Sequence, residues 1–179
     1  MKDRDCLALR VRSGRLMLLD QSRLPHVQDW FAVDDVATLV EAIHALRTRG
    51  APMIAIAAAL LVAVRVEAGD DRDTVRQAIA RLREARPTAV NLMHAMDALA
   101  MALEADDWRT DVVVSAEALF DDDRALCDAM ADHGAALVGP GERILTHCNT
   151  GGLATAGIGL IVSRVIFTRS LRSYRSASS

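Results

Sequence analysis

The segment from Met53 to Val64 constrains this chain most: it is an unbroken apolar run that ends only at Arg65. It is too short to cross a bilayer, which takes about twenty apolar residues, and too uniformly apolar to lie on a surface. Pro52 stands at its start, where a missing N–H costs a helix nothing, and Gly69 stands just beyond its end. The run therefore predicts a helix from Ala51 to about Glu67, apolar all round and enclosed by other elements. Aromatic residues make up 3% of a chain that is 51% hydrophobic, so the enclosing elements must draw on Ala, Leu, Val, Ile and Met. That composition favours helices.

The flanking sequence supplies them. Asp34 or Asp35 caps a helix whose Val36, Leu39, Val40, Ile43 and Leu46 share one face. Asp70 to Asp73 cap another, with Val75, Ile79 and Leu82 on one side. Pro87 opens a helix from Thr88 to about Glu104. A polar connection, Asp106 to Asp111, precedes a long amphipathic helix over Ser115 to Val138. Ahead of all these, the alternation of Leu7, Leu9 and Val11, the Ser13-Gly14 turn, and the runs Leu16 to Leu19 and Val27 to Val33 predict an antiparallel meander. Gly139-Pro140-Gly141 reads as a linker. A strand over Arg143 to His147 and a helix beginning near Thr155 follow. The expected fold class is α/β. A mainly helical N-terminal domain with a small antiparallel β meander occupies 1–138. The first strand and helix of an incomplete Rossmann-like domain occupy 139–168, and a basic Ser/Arg tail, read as disordered, occupies 169–179.

A net charge of −3 and a pI near 5.9 give no chain-wide surface for nucleic acid, and no segment suits a membrane. The tail after Arg169 is basic, but it lacks aromatic partners and reads as a solvated end rather than a nucleic-acid contact. Cys6, Cys127 and Cys148 are odd in number, far apart and without metal spacing, as in a reduced, cytoplasmic protein.

Two arginines sit just before proline-started helices, in Arg49-Gly50-Ala51-Pro52 and in Arg86-Pro87. Free N–H groups at such helix ends attract anions, and a guanidinium adds a fixed charge and a planar fork suited to phosphate. Gly50 would let a ligand approach the backbone closely. The alternative is that each arginine merely offsets the dipole of the preceding helix. From Ile144 to Gly152, an apolar run leads into a polar tip with a thiol and then two glycines. Cys148 is either reactive there or a small packed residue. His147 would point the opposite way along a regular strand. His44, His94 and His133 read as structural, and Met93, Met96 and Met101 as core. Asp121-Asp122-Asp123 reads as a solvated helix face. Gly151, Gly152, Gly157 and Gly159 do not form the dinucleotide fingerprint, so no nicotinamide cofactor is expected.

Three motifs occur in order: Arg49-Gly50-Ala51-Pro52 running into Ile54 to Ala59, Ala85-Arg86-Pro87-Thr88-Ala89-Val90-Asn91-Leu92, and Leu145 to Gly151. Together, over about residues 6 to 160, they resemble the methylthioribose-1-phosphate isomerases, whose superfamily includes regulatory subunits of eukaryotic initiation factor two B. The resemblance implies an aldose–ketose isomerase of methionine salvage that converts 5-methylthioribose 1-phosphate to 5-methylthioribulose 1-phosphate. It implies no metal or organic cofactor, and a homodimer for the full-length family. Arg49, Gly50, Ala51 and Arg86 would hold the phosphate, and Cys148 would be the essential cysteine. The family's catalytic aspartate, and a glutamine, asparagine and lysine that contact substrate, lie in a C-terminal domain with no counterpart here. This chain alone would then turn over little or no substrate. Past Gly159 it leaves the family pattern, as if cut or shifted in frame near Leu160. Two other readings stand beside this one: an enzyme like ribose-1,5-bisphosphate isomerase, and a non-catalytic regulatory or oligomerising module of the initiation-factor type. Retention of Cys148 and both arginines argues against the second; loss of the aspartate-bearing domain argues for it.

Overall fold

The computed structural model describes residues 1–139, 145 and 151–159. Four strands come first: β1 Arg4–Asp5, β2 Leu9–Arg12, β3 Arg15–Leu19 and β4 Trp30–Val33. Helices follow: α1 Val36–His44, α2 Ala51–Glu67, α3 Arg72–Glu84, α4 Val90–Leu103 and α5 Trp108–Ala135.

Helix α2 occupies the bounds expected from its apolar run, and every residue from Met53 to Ala63 is buried. It packs chiefly on α4 and α5, while α3 covers α4 and the sheet reaches α2 through β3. The strands pair in sequence order, all antiparallel. Leu9 faces Leu18 and Val11 faces Leu16, and these four with Val33 are buried on one side of the sheet. Alternate residues of a strand share a face, so this row is the sheet's contribution to the core. Ser13 (φ 50°) and Gly14 (φ 72°) turn the β2–β3 hairpin. Two left-handed residues suit the right-handed twist of the strands they join.

The meander departs from expectation at its ends. Arg4–Asp5 adds a short polar edge strand beside Arg10 and Val11. Val27 stays outside β4, because its N–H turns back to the Arg23 carbonyl at 3.1 Å. Helix α1 stops at His44 rather than reaching Leu46. Leu46 takes φ 57° and is exposed, while the Arg47 and Thr48 N–H groups both point to the Ala42 carbonyl. Helix α4 starts at Val90, two residues later than expected, after a turn closed by the Ala89 N–H on the Arg86 carbonyl.

The polar stretch Asp106 to Asp111 is mostly helix, not connection. Asp111 donates to the Asp107 carbonyl at 3.0 Å, opening α5 seven residues early. Arg109 then reaches the carbonyls of Val66 (3.0 Å) and Asp70 (2.9 Å) and stacks on Trp108. These charges dock the helix start on the end of α2. Met96 is buried, but Met101, also expected in the core, is 78% exposed.

No helix begins at Thr155. Residues 151–159 form a tight loop, closed by an antiparallel bridge between Gly151 and Gly159, with Gly159 at φ 84°. Its backbone groups bond Met53, Gln21 and Asp123 and do not form helical bonds. The strand expected over 143–147 (apart from residue 145), Cys148 and the tail from 169 lie outside the described residues. Among the described residues, no helix is long and apolar enough to cross a membrane.

Candidate functional site

The start of α2 carries its own irregularity. Gly50 caps the helix at φ 94°, and the Ile54 N–H closes the first turn on the Gly50 carbonyl at 3.0 Å. Pro52 has no N–H, and the Met53 N–H donates to the carbonyl of Ala154 at 3.0 Å. That leaves the Ala51 N–H, which no acceptor meets among the described residues, as the open donor at a positively polarised helix end.

The two arginines singled out by sequence reach the same place. Arg49, Gly50, Ala51, Pro52 and Arg86 line one cleft of about 750 Å³, with Asn91 from α4, Asp123 and Cys127 from α5, and Ala154 and Thr155 from the 151–159 loop. Neither arginine behaves as a helix cap. Among the described residues Arg49 makes one long contact, 3.3 Å from Nη2 to the Gln21 carbonyl. The half-buried Arg86 guanidinium has no hydrogen bond or ion pair among the described residues. Arg47, between them and the sheet, shows what a structural arginine does here. It bonds Asp20 and Glu41, each at 3.0 Å, and lies over the Phe31 ring. Arg49 and Arg86 keep the donor capacity that Arg47 has used up.

The bare Cα of Gly50 makes room for a protein contact. A Cβ built there would stand 2.6 Å from the Ala154 Cβ and 2.8 Å from its carbonyl oxygen. The close approach anticipated for this glycine is made by the loop, which forms the cleft wall. Other bonds hold that loop. Gln21 Nε2 donates to the Leu153 carbonyl at 2.9 Å, and the Ala156 N–H donates to Asp123 Oδ2 at 2.7 Å. Gly157 lies so close to Cys127 that an added Cβ would meet the Cys127 Cβ at 2.5 Å.

Asp123 is the residue sequence reasoning misread. Of the acidic triplet, Asp122 is solvated and Asp121 pairs with Arg4 at 2.8 Å, but Asp123 turns into the cleft. Burial raises its pKa above the ordinary carboxylate value, and the Ala156 N–H only partly opposes this. The signal was its register. Asp123 lies three residues after buried Phe120 and four before buried Cys127, so a carboxylate interrupts the inward stripe of α5. Cys127 is buried, and burial, with the charge of Asp123, raises its thiol pKa. It is a packing residue, not a nucleophile. His44 and His133 are also structural, with ring nitrogens 2.8 Å from the Ala85 carbonyl and 2.7 Å from the Ala129 carbonyl. His94 lines a smaller hollow of about 260 Å³ that shares Pro52, Asn91 and Asp123 with the main cleft. Cys148 lies outside the described residues; Gly151, three positions after it, begins the wall loop.

Fold and cleft together define the class: a helical domain with a small antiparallel sheet, presenting two guanidinium groups without an ion pair among the described residues, and a helix N-terminus, to one concave surface. The chain belongs to the initiation factor 2 subunit family, whose family model matches residues 47–175. It is 51% identical over 152 residues to the methylthioribose-1-phosphate isomerase of Klebsiella pneumoniae (strain 342), covering 85% of this chain and 44% of that protein. It is 49% identical over 160 residues to the methylthioribose-1-phosphate isomerase of Yersinia pestis (strain Pestoides F), covering 89% and 46%. Among solved structures, the 5-methylthioribose 1-phosphate isomerase of Pyrococcus horikoshii OT3 superposes with a TM-score of 0.77 at 29% identity, covering 90% of this chain and 49% of that one. The delta subunit of translation initiation factor eIF-2B from A. fulgidus gives 0.72 at 30% identity, covering 92% and 52%. The chain thus spans about half the length of the relatives it matches.

Proposed function

We propose that this chain supplies the phosphate-holding part of a sugar phosphate isomerase site. The substrate is 5-methylthioribose 1-phosphate, the product 5-methylthioribulose 1-phosphate, and the setting is cytoplasmic methionine salvage. The observation that carries this reading is the convergence of Arg49, Gly50, Ala51 and Arg86 on one cleft, in a chain about half identical to proteins named methylthioribose-1-phosphate isomerase. The phosphate takes charge-assisted bonds from both guanidinium groups and sits at the start of α2, near the Ala51 N–H. Cys148, three positions before Gly151 in the sequence, serves the reacting carbons.

The chemistry explains why the site must be enclosed. In this substrate the anomeric oxygen is esterified, so the ring does not open unaided. A general acid must assist at the ring oxygen, and hydrogen must then pass from C2 to C1. Exclusion of water protects the intermediate and strengthens the fixed charges. In this reading residues 1–138 form one domain, 139–168 open a Rossmann-like domain, and the full-length assembly is a homodimer that does not engage nucleic acid.

The likeness to an eIF-2B delta subunit favours a second reading, a non-catalytic regulatory module. Calorimetric titration of the 179-residue chain separates the two. With 5-methylthioribose 1-phosphate it should give saturable binding, and unphosphorylated methylthioribose should bind at least about 100-fold more weakly, since bonds to charged groups are the ones removed. No binding of the sugar phosphate, or equal affinity for both compounds, overturns the proposal.

A further inference from the structure

We infer that Asp123 is a positioning residue of this cleft: through the Ala156 N–H it holds the 151–159 wall against α5, and so fixes that wall over the start of α2. The inference rests on the reading of the cleft as a phosphate site. Three of the loop's attachments come from one side, namely the Gln21 bond to Leu153, the Met53 bond to Ala154 and the seat of Ala154 on Gly50. Among the described residues the short, charged tie to α5 is the Asp123 carboxylate, 2.7 Å from the Ala156 nitrogen. Beside it, Gly157 presses on Cys127, whose thiol also meets Thr155 and the Gly157 backbone in weaker sulfur contacts. Of the loop residues that face the cleft, Ala154 belongs to the first set of anchors and Thr155 lies between it and the second. Removing Asp123 leaves only the weaker Cys127 sulfur contacts and packing on the α5 edge. The Met53–Ala154 bond then loosens, and with it the arrangement of donors at the helix end.

The position makes sense of an otherwise costly choice. A carboxylate on the inward stripe of a helix, in a cleft that attracts anions, is unfavourable for both burial and ligand charge. An N–H acceptor is what the Ala156 backbone requires, because a buried N–H without a partner is costly. An asparagine would provide an acceptor oxygen as well, without the charge. That makes the conservative variant informative.

The test uses the whole chain with Asp123→Ala and Asp123→Asn, read by amide hydrogen exchange and by titration with inorganic phosphate. Asp123→Ala should speed exchange of the Ala156 and Met53 amides by about tenfold or more, the size expected when a bond to a charged group is lost. Exchange in α3, remote from the loop, should stay as in the parent. Asp123→Asn should keep both amides slow. Both variants lack the charge, so any difference in phosphate affinity between them reports wall position: Asp123→Asn should bind phosphate at least about tenfold more tightly than Asp123→Ala. Equal Met53 exchange in the alanine variant and the parent overturns the inference, as does equal phosphate affinity in the two variants. If no protein in the series binds phosphate, the reading of the cleft fails, and the Met53 and Ala156 amides still decide whether Asp123 holds the wall.

Discussion

Replacing Gly50 with alanine tests the seat on which the cleft wall rests. The added Cβ would stand 2.6 Å from the Ala154 Cβ, 2.7 Å from its Cα and 2.8 Å from its carbonyl oxygen, where carbon contacts relax at about 3.5–4.0 Å. Two of these atoms are backbone, fixed by the Met53 N–H, so the obstacle has no rotamer to change. Holding an alanine at φ 94°, ψ 125° costs about 1–3 kcal/mol. Forcing a methyl into the contact, or displacing the loop, costs about 1–3 kcal/mol more. The sum, about 2–6 kcal/mol, lowers the melting temperature of a chain this size by about 10 °C. Gly69→Ala supplies the control: its φ is 104°, yet nothing lies within 4 Å of the added methyl. It should show the conformational cost alone, about 1–3 kcal/mol. Urea unfolding followed by circular dichroism gives both values, provided the slopes agree. Should Gly50→Ala prove no more than about 0.5 kcal/mol worse than Gly69→Ala, near the limit of resolvable coupling, Ala154 does not sit on Gly50 and the described wall is wrong.

Two further perturbations probe the frame around the site. Leu61→Ala, at a fully buried position on α2, should cost about 2–5 kcal/mol in urea melts. Met101→Ala, 78% exposed, should stay within about 0.5 kcal/mol of the parent. Burial pushes the Asp20 carboxyl up, but bonds from Ser22 and Arg47 outweigh it and hold its pKa below the ordinary value. A depressed carboxylate contributes stability that is present above its unfolded pKa, about 3.9, and is lost as pH falls through the folded value. Stability of the parent should therefore fall more steeply below about pH 4 than that of Asp20→Asn in pH-resolved urea melts; parallel acid limbs would contradict the role given to Asp20.

The sequence made the frame legible where one physical effect dominated. An apolar run with proline ahead and glycine behind has few alternatives to a buried helix, and α2 fell within the expected bounds. Arg49 and Arg86 were visible because each precedes a proline-marked helix, and the structure brings both to one cleft. Other features depended on partners far away in sequence. The helical start at Trp108 depends on Arg109 finding the carbonyls of Val66 and Asp70. The use of Gly50 depends on Ala154, more than a hundred residues on. Asp123 could be read as solvated because its neighbours are, and its inward register became decisive only with a backbone N–H waiting for it. The expected helix near Thr155 failed for the same reason: Ala154 and Ala156 direct backbone groups to other elements and not along a helix of their own.

The central claim is that Arg49 and Arg86 act on one anion. A double-mutant cycle on inorganic phosphate affinity, with Arg49→Ala, Arg86→Ala and the pair together, measures this directly. Each single change should weaken binding about tenfold or more, and the pair should depart from additivity by at least about 0.5 kcal/mol, as groups sharing a ligand do. Phosphate affinity that survives both substitutions, or losses that simply add, would mean that the two guanidinium groups do not share a ligand.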